Sequence, residues 1–299
     1  MKFLGQLPGA FLLRYGENPH ERAYVYGDLM FELLHEGKQI SYNNILDADA
    51  AWTTATFLKT LPYYGAVVVK HQTPCGVAIA NSPEEAVKKA IEADAESSYG
   101  GILAINFKLT LNVVKSYKKY LEVIVAPEFE SDVVEYLKKR KVRLIKPRDY
   151  LPLNGRTAFG GLVVSERVLP PLEFNLRVGE SLSEDALIDL KLAFIVSEST
   201  KSNGIVIVKN GKTIGIGTGQ PSRKRAAIIA TMLAREKAQN AVASSDGFFP
   251  FADGLEILAN AGVKAIVAPL GSKRDGEVLK MAEKLGITFY EAPSRVFRH

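Results

Sequence analysis

The sequence is poor in the side chains that most often announce a metal or nucleophile site. Its 299 residues hold one cysteine, Cys75, and four histidines: His20, His35, His71 and His299. A lone cysteine forms no internal disulfide, which suits a reducing compartment, and it offers no thiolate cluster for zinc. No apolar run approaches the roughly 20 residues of a membrane-crossing helix, so no membrane partner is expected. The opening MKFLGQLPGAFLLR is interrupted by Gln6 and Pro8 and leads to no small-x-small cleavage site. It reads as mature chain, and the expected location is cytoplasmic. Compositional bias is missing too: 47% apolar and 24% charged residues exclude wholesale disorder, collagen and a long coiled coil.

The charge balance, 38 Lys+Arg against 33 Asp+Glu, leaves +5 and favours anionic partners. The densest basic run, Lys138 to Arg143, follows an amphipathic stretch from Ser131 to Leu137. There it decorates a helix C-terminus, where cations suit the helix dipole. No aromatics interleave with it, so nucleic acid is not the expected ligand. Small phosphorylated or carboxylated molecules fit better.

Short β-branched runs alternate with helical stretches of ten or more residues. The runs are Ala66 to Val69, Ile102 to Ile105, Val123 to Val125, Ile205 to Val208 and Ala265 to Val267. Ser82-Pro83-Glu84-Glu85 carries a capping serine and a first-turn proline, the signature of a helix start. Continuous apolar strands between helices imply a sheet covered on both faces, hence an α/β fold. A faint repeat adds to this. GAVVVK at Gly65 to Lys70 returns as GIVIVK at Gly204 to Lys209. SSYGG at Ser97 to Gly101 is echoed by SSDGF at Ser244 to Phe248, and IVAP at Ile124 to Pro127 by IVAP at Ile266 to Pro269. The spacing predicts two similar halves, residues 1–160 and 161–299, meeting in the Gly- and Pro-containing stretch Leu153 to Pro171.

Six segments come into question for chemistry. Lys70-His71 ends an apolar strand, where open α/β sheets place ligands. A histidine there can move protons near neutral pH and an ammonium beside it can stabilise negative charge; an ordinary strand end is the alternative. Pro74-Cys75 resembles half of a deaminase zinc signature, but no second cysteine and no His-x-Glu accompany it, so no catalytic metal is expected. Arg14 to His20, RYGENPH, gathers groups suited to a phosphorylated ring or to a solvated turn. Gly215 to Arg223, GIGTGQPSR, lacks the Gly-Lys-Ser/Thr of a P-loop; its helix start can hold an anion or merely continue a hairpin. Ser245 to Gly254, SDGFFPFADG, sets three phenylalanines between Asp246 and Asp253, and the tail Ser294 to His299 can fray or tuck into a site.

Taken in order, LRYGENPHERAYVYG, GKQISYNNILDADAAW, VVVKHQTPCGVAIA, SSYGGILAIN, EVIVAPEF, TKSNGIVIVKNGKTIGIGTGQPSR, SSDGFFPFADGLEILANAGVKAIVAP and the terminal FRH resemble the transformylase part of the bifunctional purine-biosynthesis family. That family joins AICAR formyltransferase to IMP cyclohydrolase. The resemblance implies two tandem cytidine-deaminase-like α/β/α subdomains without zinc, and a homodimer with active sites at the interface. It implies formyl transfer from N10-formyltetrahydrofolate, as cosubstrate, to AICAR; a monovalent cation is compatible with it. By motif position Lys70, His71 and Asn203 fall on the family's catalytic residues. Arg14, Tyr15, Arg295 and His299 fall on its AICAR-binding positions. Arg223, Phe248, Phe251 and Asp253 fall in its folate- or nucleotide-contacting segments. The family's cyclohydrolase domain ordinarily precedes RYGENPH and only thirteen residues do so here, so a separate IMP cyclohydrolase is expected. A catalytically silent AICAR-binding protein is the alternative function.

Overall fold

A computed structural model describes residues 11–148 and 152–299; Met1 to Ala10, part of the opening stretch discussed above, lies outside them. Two short strands, β1 (Phe11–Leu12) and β2 (Tyr24–Val25), pair with each other, and β3 (Phe31–His35) follows. The first half then runs α1 (Tyr42–Phe57), β4 (Tyr64–Lys70), β5 (Thr73–Ala80), α2 (Pro83–Ala93), β6 (Ile102–Ile105), α3 (Leu111–Lys115), β7 (Val123–Val125), α4 (Ser131–Lys138) and β8 (Arg143–Pro147). A hairpin of β9 (Leu153–Ala158) and β10 (Gly161–Glu166) leads to β11 (Asn175–Val178). The second half runs α5 (Glu184–Glu198), β12 (Ile205–Lys209), β13 (Lys212–Gly217), α6 (Arg223–Ala234), β14 (Val242–Ser245), α7 (Asp253–Asn260), β15 (Ala265–Ala268), α8 (Asp275–Lys284) and β16 (Thr288–Glu291). Among the described residues no helix is long and apolar enough to cross a membrane.

The chain is α/β, built on one mixed sheet of 12 strands in the order β11-β16-β15-β14-β12-β13-β5-β4-β6-β7-β8-β3. In each half a hairpin (β4–β5, β12–β13) pairs antiparallel with the next strand, and two parallel strands follow outward. Antiparallel β3 and β11 close the two edges. The halves meet at β5 and β13 through the pair Lys212 and Ala78. The Thr213 hydroxyl reinforces that seam, accepting from Val77 N at 3.0 Å and donating to Val77 O at 3.3 Å.

The apolar runs are continuous because both sheet faces are covered. Val67 and Val69 of β4, with Val206 and Val208 of β12, face a core shared with α1 and α5. Ala66 and Val68 face α2, α3 and α4, while Ile205 and Ile207 face α6, α7 and α8. Leu190 and Leu192 to Glu198 of α5 are all buried, as expected of a helix wedged at the middle of a molecule. Local signals start the helices. Ser82 accepts the amide of Glu85 at 3.3 Å to cap α2, and Ser41 and Asn44 cap α1 reciprocally.

Two of the three repeat matches fall on equivalent elements: GAVVVK and GIVIVK build β4 and β12, and the IVAP pair builds β7 and β15. The third does not. Ser97 to Gly101 form the turn before β6, whereas Ser244 and Ser245 end β14; small residues recur there for separate local reasons.

A better structural correspondence lies at two glycines. A Cβ on Gly76 of β5 would land on the carbonyl oxygen of Ala90 in α2, and one on Gly215 of β13 on that of Ala230 in α6. Each strand lies against its helix where only glycine fits. Gly76→Ala and Gly215→Ala should each lower unfolding free energy by about 1–3 kcal/mol, measured by urea denaturation; a loss confined to one half would show that the two contacts are not equivalent.

Candidate functional site

Lys70 closes β4 opposite Thr73, which leaves His71 and Gln72 as a two-residue turn. Both have positive φ, +53 and +60, the pattern of a type I′ turn. Asp47 on α1 holds this turn: Oδ2 accepts from His71 N at 3.3 Å and Oδ1 from Gln72 N at 2.6 Å. The imidazole itself is exposed, and Lys70 Nζ donates to Tyr99 O at 2.9 Å. Burial pushes the Asp47 carboxyl up from its usual range, and the two amides oppose that.

The second cluster centres on Arg223, which is 5% exposed at the start of α6. Its guanidinium donates to Asp246 Oδ1 at 2.8 Å, to Asn203 Oδ1 at 2.6 Å, and through Nε to the carbonyls of Gly247 and Phe248. Asn203 is engaged at both ends, since its Nδ2 donates to Gln220 O at 2.9 Å. Asp246 is fully buried, and burial raises its carboxyl pKa against the pull of Arg223. Its Oδ2 makes no hydrogen bond, and neither does the buried Ser244 Oγ two residues earlier.

The C-terminal tail crosses this cluster. Val296 N donates to Asp246 O at 2.9 Å, and the Phe297 ring lies beneath the guanidinium groups of Arg295, at 5.1 Å, and Arg223, at 5.9 Å. His299 stacks obliquely near Phe297 and accepts through its carbonyl from Arg156 of the β9–β10 hairpin. Arg298 joins the two clusters. Its carbonyl accepts from Ser202 N at 2.7 Å, while its guanidinium donates to Ser199 O at 3.2 Å and to Gln72 O at 3.5 Å. Burial pushes that guanidinium down to about 10. Arg298, through its side chain and its carbonyl together, thus ties the His71 turn to the Asn203 segment.

A cleft of about 510 Å³ opens along the seam, walled by Thr73, Pro74 and Cys75 of β5 and by Gly215, Ile216 and Thr218 beside β13. Thr218 Oγ1 donates to Lys201 O at 3.1 Å, while Lys70, His71 and Asn203 do not line the cleft. Burial pushes the Cys75 thiol up to about 12, and its Sγ donates to Val68 O. It is held as a thiol, poorly suited to ligate or attack.

The remaining sequence-predicted residues are more dispersed. Arg14 and Tyr15 contact one another at 5.2 Å, and their loop is pinned to α1 through Asn43 and Glu17. Phe248 contributes its carbonyl to Arg223. Phe251 is exposed beneath Arg274 at 4.7 Å, and Asp253 pairs with Lys224 at 3.7 Å. Asp47 was not singled out from sequence, and Arg298 only as part of the tail expected to fray or tuck into a site. A helix aspartate 24 residues before the turn it holds leaves no local signature, and Arg298 reaches across 226 residues.

A family model described as AICARFT/IMPCHase bienzyme matches residues 4–233. The chain is 65% identical over 287 residues to the bifunctional purine biosynthesis protein PurH of Thermotoga maritima, covering 96% of this chain and 63% of that protein. It is 39% identical over 304 residues to PurH of Corynebacterium glutamicum, covering 96% of this chain and 58% of that protein. The chain therefore spans less than two thirds of the length of these relatives. Among solved structures it shares 25% identity with Acinetobacter baumannii RibD, form 2, over 31% of this chain and 30% of that one, at a TM-score of 0.25, too little to carry an argument. The length of the family match and the level of identity across nearly the whole sequence mean that the chain belongs to the AICARFT/IMPCHase bienzyme family.

Proposed function

We propose that the chain is a formyltransferase of purine biosynthesis, moving the formyl group of N10-formyltetrahydrofolate to the exocyclic amine of AICAR. The observation that carries this reading is the His71 turn: an exposed imidazole beside an ammonium, tied through Arg298 to the segment bearing Asn203. The AICAR amine is a weak nucleophile because its lone pair is delocalised into the ring. Its attack on the formyl carbon forms the new C–N bond and a tetrahedral oxyanion. The bond to folate N10 then breaks, with a proton delivered to that nitrogen. His71 removes the amine proton and returns it to the leaving nitrogen. Lys70 and Asn203 stabilise the oxyanion, Asn203 exchanging its Gln220 contact for substrate. Arg14, Tyr15, Arg295 and His299 bind AICAR, while Phe248, Phe251 and Asp253 contact folate or nucleotide. Arg223 lies in the same folate- or nucleotide-contacting segments and also holds Asn203 and Phe248 in place.

The two halves, residues 1–160 and 161–299, are read as tandem cytidine-deaminase-like subdomains; the shared strand order supports this, and the boundary falls at the tip of the β9–β10 hairpin. The same hairpin supports a homodimer. Its two strands pair only with each other in the described structure, and Leu162 and Val163 are 70% and 61% exposed. An apolar ribbon of this kind is suited to being covered by a second copy. A monovalent cation is compatible with this reading. The expected location is the cytoplasm.

The test is turnover of the purified chain with AICAR and N10-formyltetrahydrofolate, following tetrahydrofolate release, with formate plus ATP in a parallel reaction. Release matched by formylated AICAR is the expected result. Binding of both ligands without product would replace this reading by a silent AICAR-binding protein, and activity only with formate plus ATP would change the donor.

A further inference from the structure

The two halves carry the same device at their central hairpins, and they use it on different residues. In the second half Asp189 of α5 accepts the amides of Asn210, at 2.8 Å, and Gly211, at 2.7 Å, in the β12–β13 turn. In the first half Asp47 of α1 accepts those of His71 and Gln72 in the β4–β5 turn. All four turn residues have positive φ: +54 and +72 in the second half, +53 and +60 in the first. Asn-Gly is the pair that adopts this conformation most readily. His-Gln is less suited: histidine tolerates the left-handed region, but the long Gln72 side chain crowds the carbonyl there. The second-half turn suits its own sequence; the first-half turn is held against its own preference. Backbone strain of this sort persists where the surroundings over-determine it, and it collects at working sites.

The surroundings here are a carboxylate and a guanidinium. Asp47 takes both amides, and Arg298 donates to the carbonyl of Gln72. Both restraints are charge-assisted, but Asp47 accepts two bonds, at 3.3 and 2.6 Å, where Arg298 makes one at 3.5 Å, so Asp47 is the stronger of the two. It acts on the backbone and therefore on the direction of the His71 Cα–Cβ bond, while the ring stays exposed for a ligand.

We propose that Asp47 is a positioning residue for formyl transfer, clamping the His71–Gln72 turn in its left-handed conformation so that the imidazole projects toward the reacting atoms. This rests on His71 being the proton carrier of the proposed function. Asp189 does the same work on a turn without a candidate catalytic group, and is an internal control.

The experiment compares Asp47→Asn with Asp189→Asn in the full chain. It measures kcat and KM for both substrates, thermal midpoint, and amide hydrogen exchange at positions 71 and 72. Asparagine keeps one acceptor and turns an NH2 toward the second amide. Asp47→Asn should lower kcat about 10- to 100-fold, the scale of an ångström-level misplacement, with KM changed less than about twofold, and should speed exchange at both amides. Asp189→Asn should lose similar thermal stability and keep parental kcat. Adding Gln72→Gly to Asp47→Asn supplies a residue at ease in the left-handed region and should recover part of the lost kcat. Parental kcat in Asp47→Asn, or an equal kcat loss in Asp189→Asn, would overturn the proposal. A parental chain with no turnover would instead overturn the functional reading beneath it, whatever the exchange at positions 71 and 72 shows about the clamp.

Discussion

Replacing His71 should lower kcat for formyl transfer by about 10²- to 10⁴-fold, the usual contribution of a positioned general acid–base group. AICAR affinity should stay within a few-fold of parental, because the ring is exposed and makes none of the contacts that organise the site. Two variants separate chemistry from folding. His71→Ala removes the imidazole but places alanine at φ +53, a conformation it adopts poorly. His71→Asn also removes the proton carrier, and asparagine tolerates that region, so it should melt close to the parental chain. Both should lose turnover alike. A His71→Asn enzyme retaining more than about a tenth of parental kcat would show that the proton travels another way, the substrate carboxamide or solvent being the candidates.

The second large effect is on stability. Arg223→Met should cost about 3–5 kcal/mol, because it strands the fully buried Asp246 carboxylate without its partner at 2.8 Å. It also removes the donor that fixes Asn203 Oδ1, so turnover should fall as well. The double variant Arg223→Met with Asp246→Leu removes both charges and should recover most of the lost stability but not the activity. Urea denaturation of the single and double variants supplies the coupling energy. A single-variant loss below about 1 kcal/mol would mean that the pair is solvated and does not organise the site.

Much of the fold was legible from local pattern. The five apolar runs are strands, Ser82 caps α2, and Ser131 to Leu137 lies in α4 with the basic run at its end. Such features depend on residues a few positions apart, which is the range over which propensity and capping act. The β9–β10 hairpin was legible only as a junction rich in glycine and proline, since its alternation is weak and both faces are exposed. The SSYGG and SSDGF match misled because small residues suit a turn and a buried strand end for different reasons. The resemblance puts Arg223 in a folate- or nucleotide-contacting segment, but its bonds to oxygens of Asn203, Asp246, Gly247 and Phe248, residues 20 to 25 positions away, had no local signature.

By itself the sequence determined the alternation of strand and helix, the capped helix starts and the family motifs that mark Lys70, His71 and Asn203. Only the tertiary structure decided that β5 meets β13, that the C-terminal tail spans both halves, and that one carboxylate on α1 holds the His71 turn. The division follows from range. Periodicity and capping are written in neighbouring residues, whereas a hydrogen bond between Arg298 and Gln72 exists only after burial of two distant segments has brought them together.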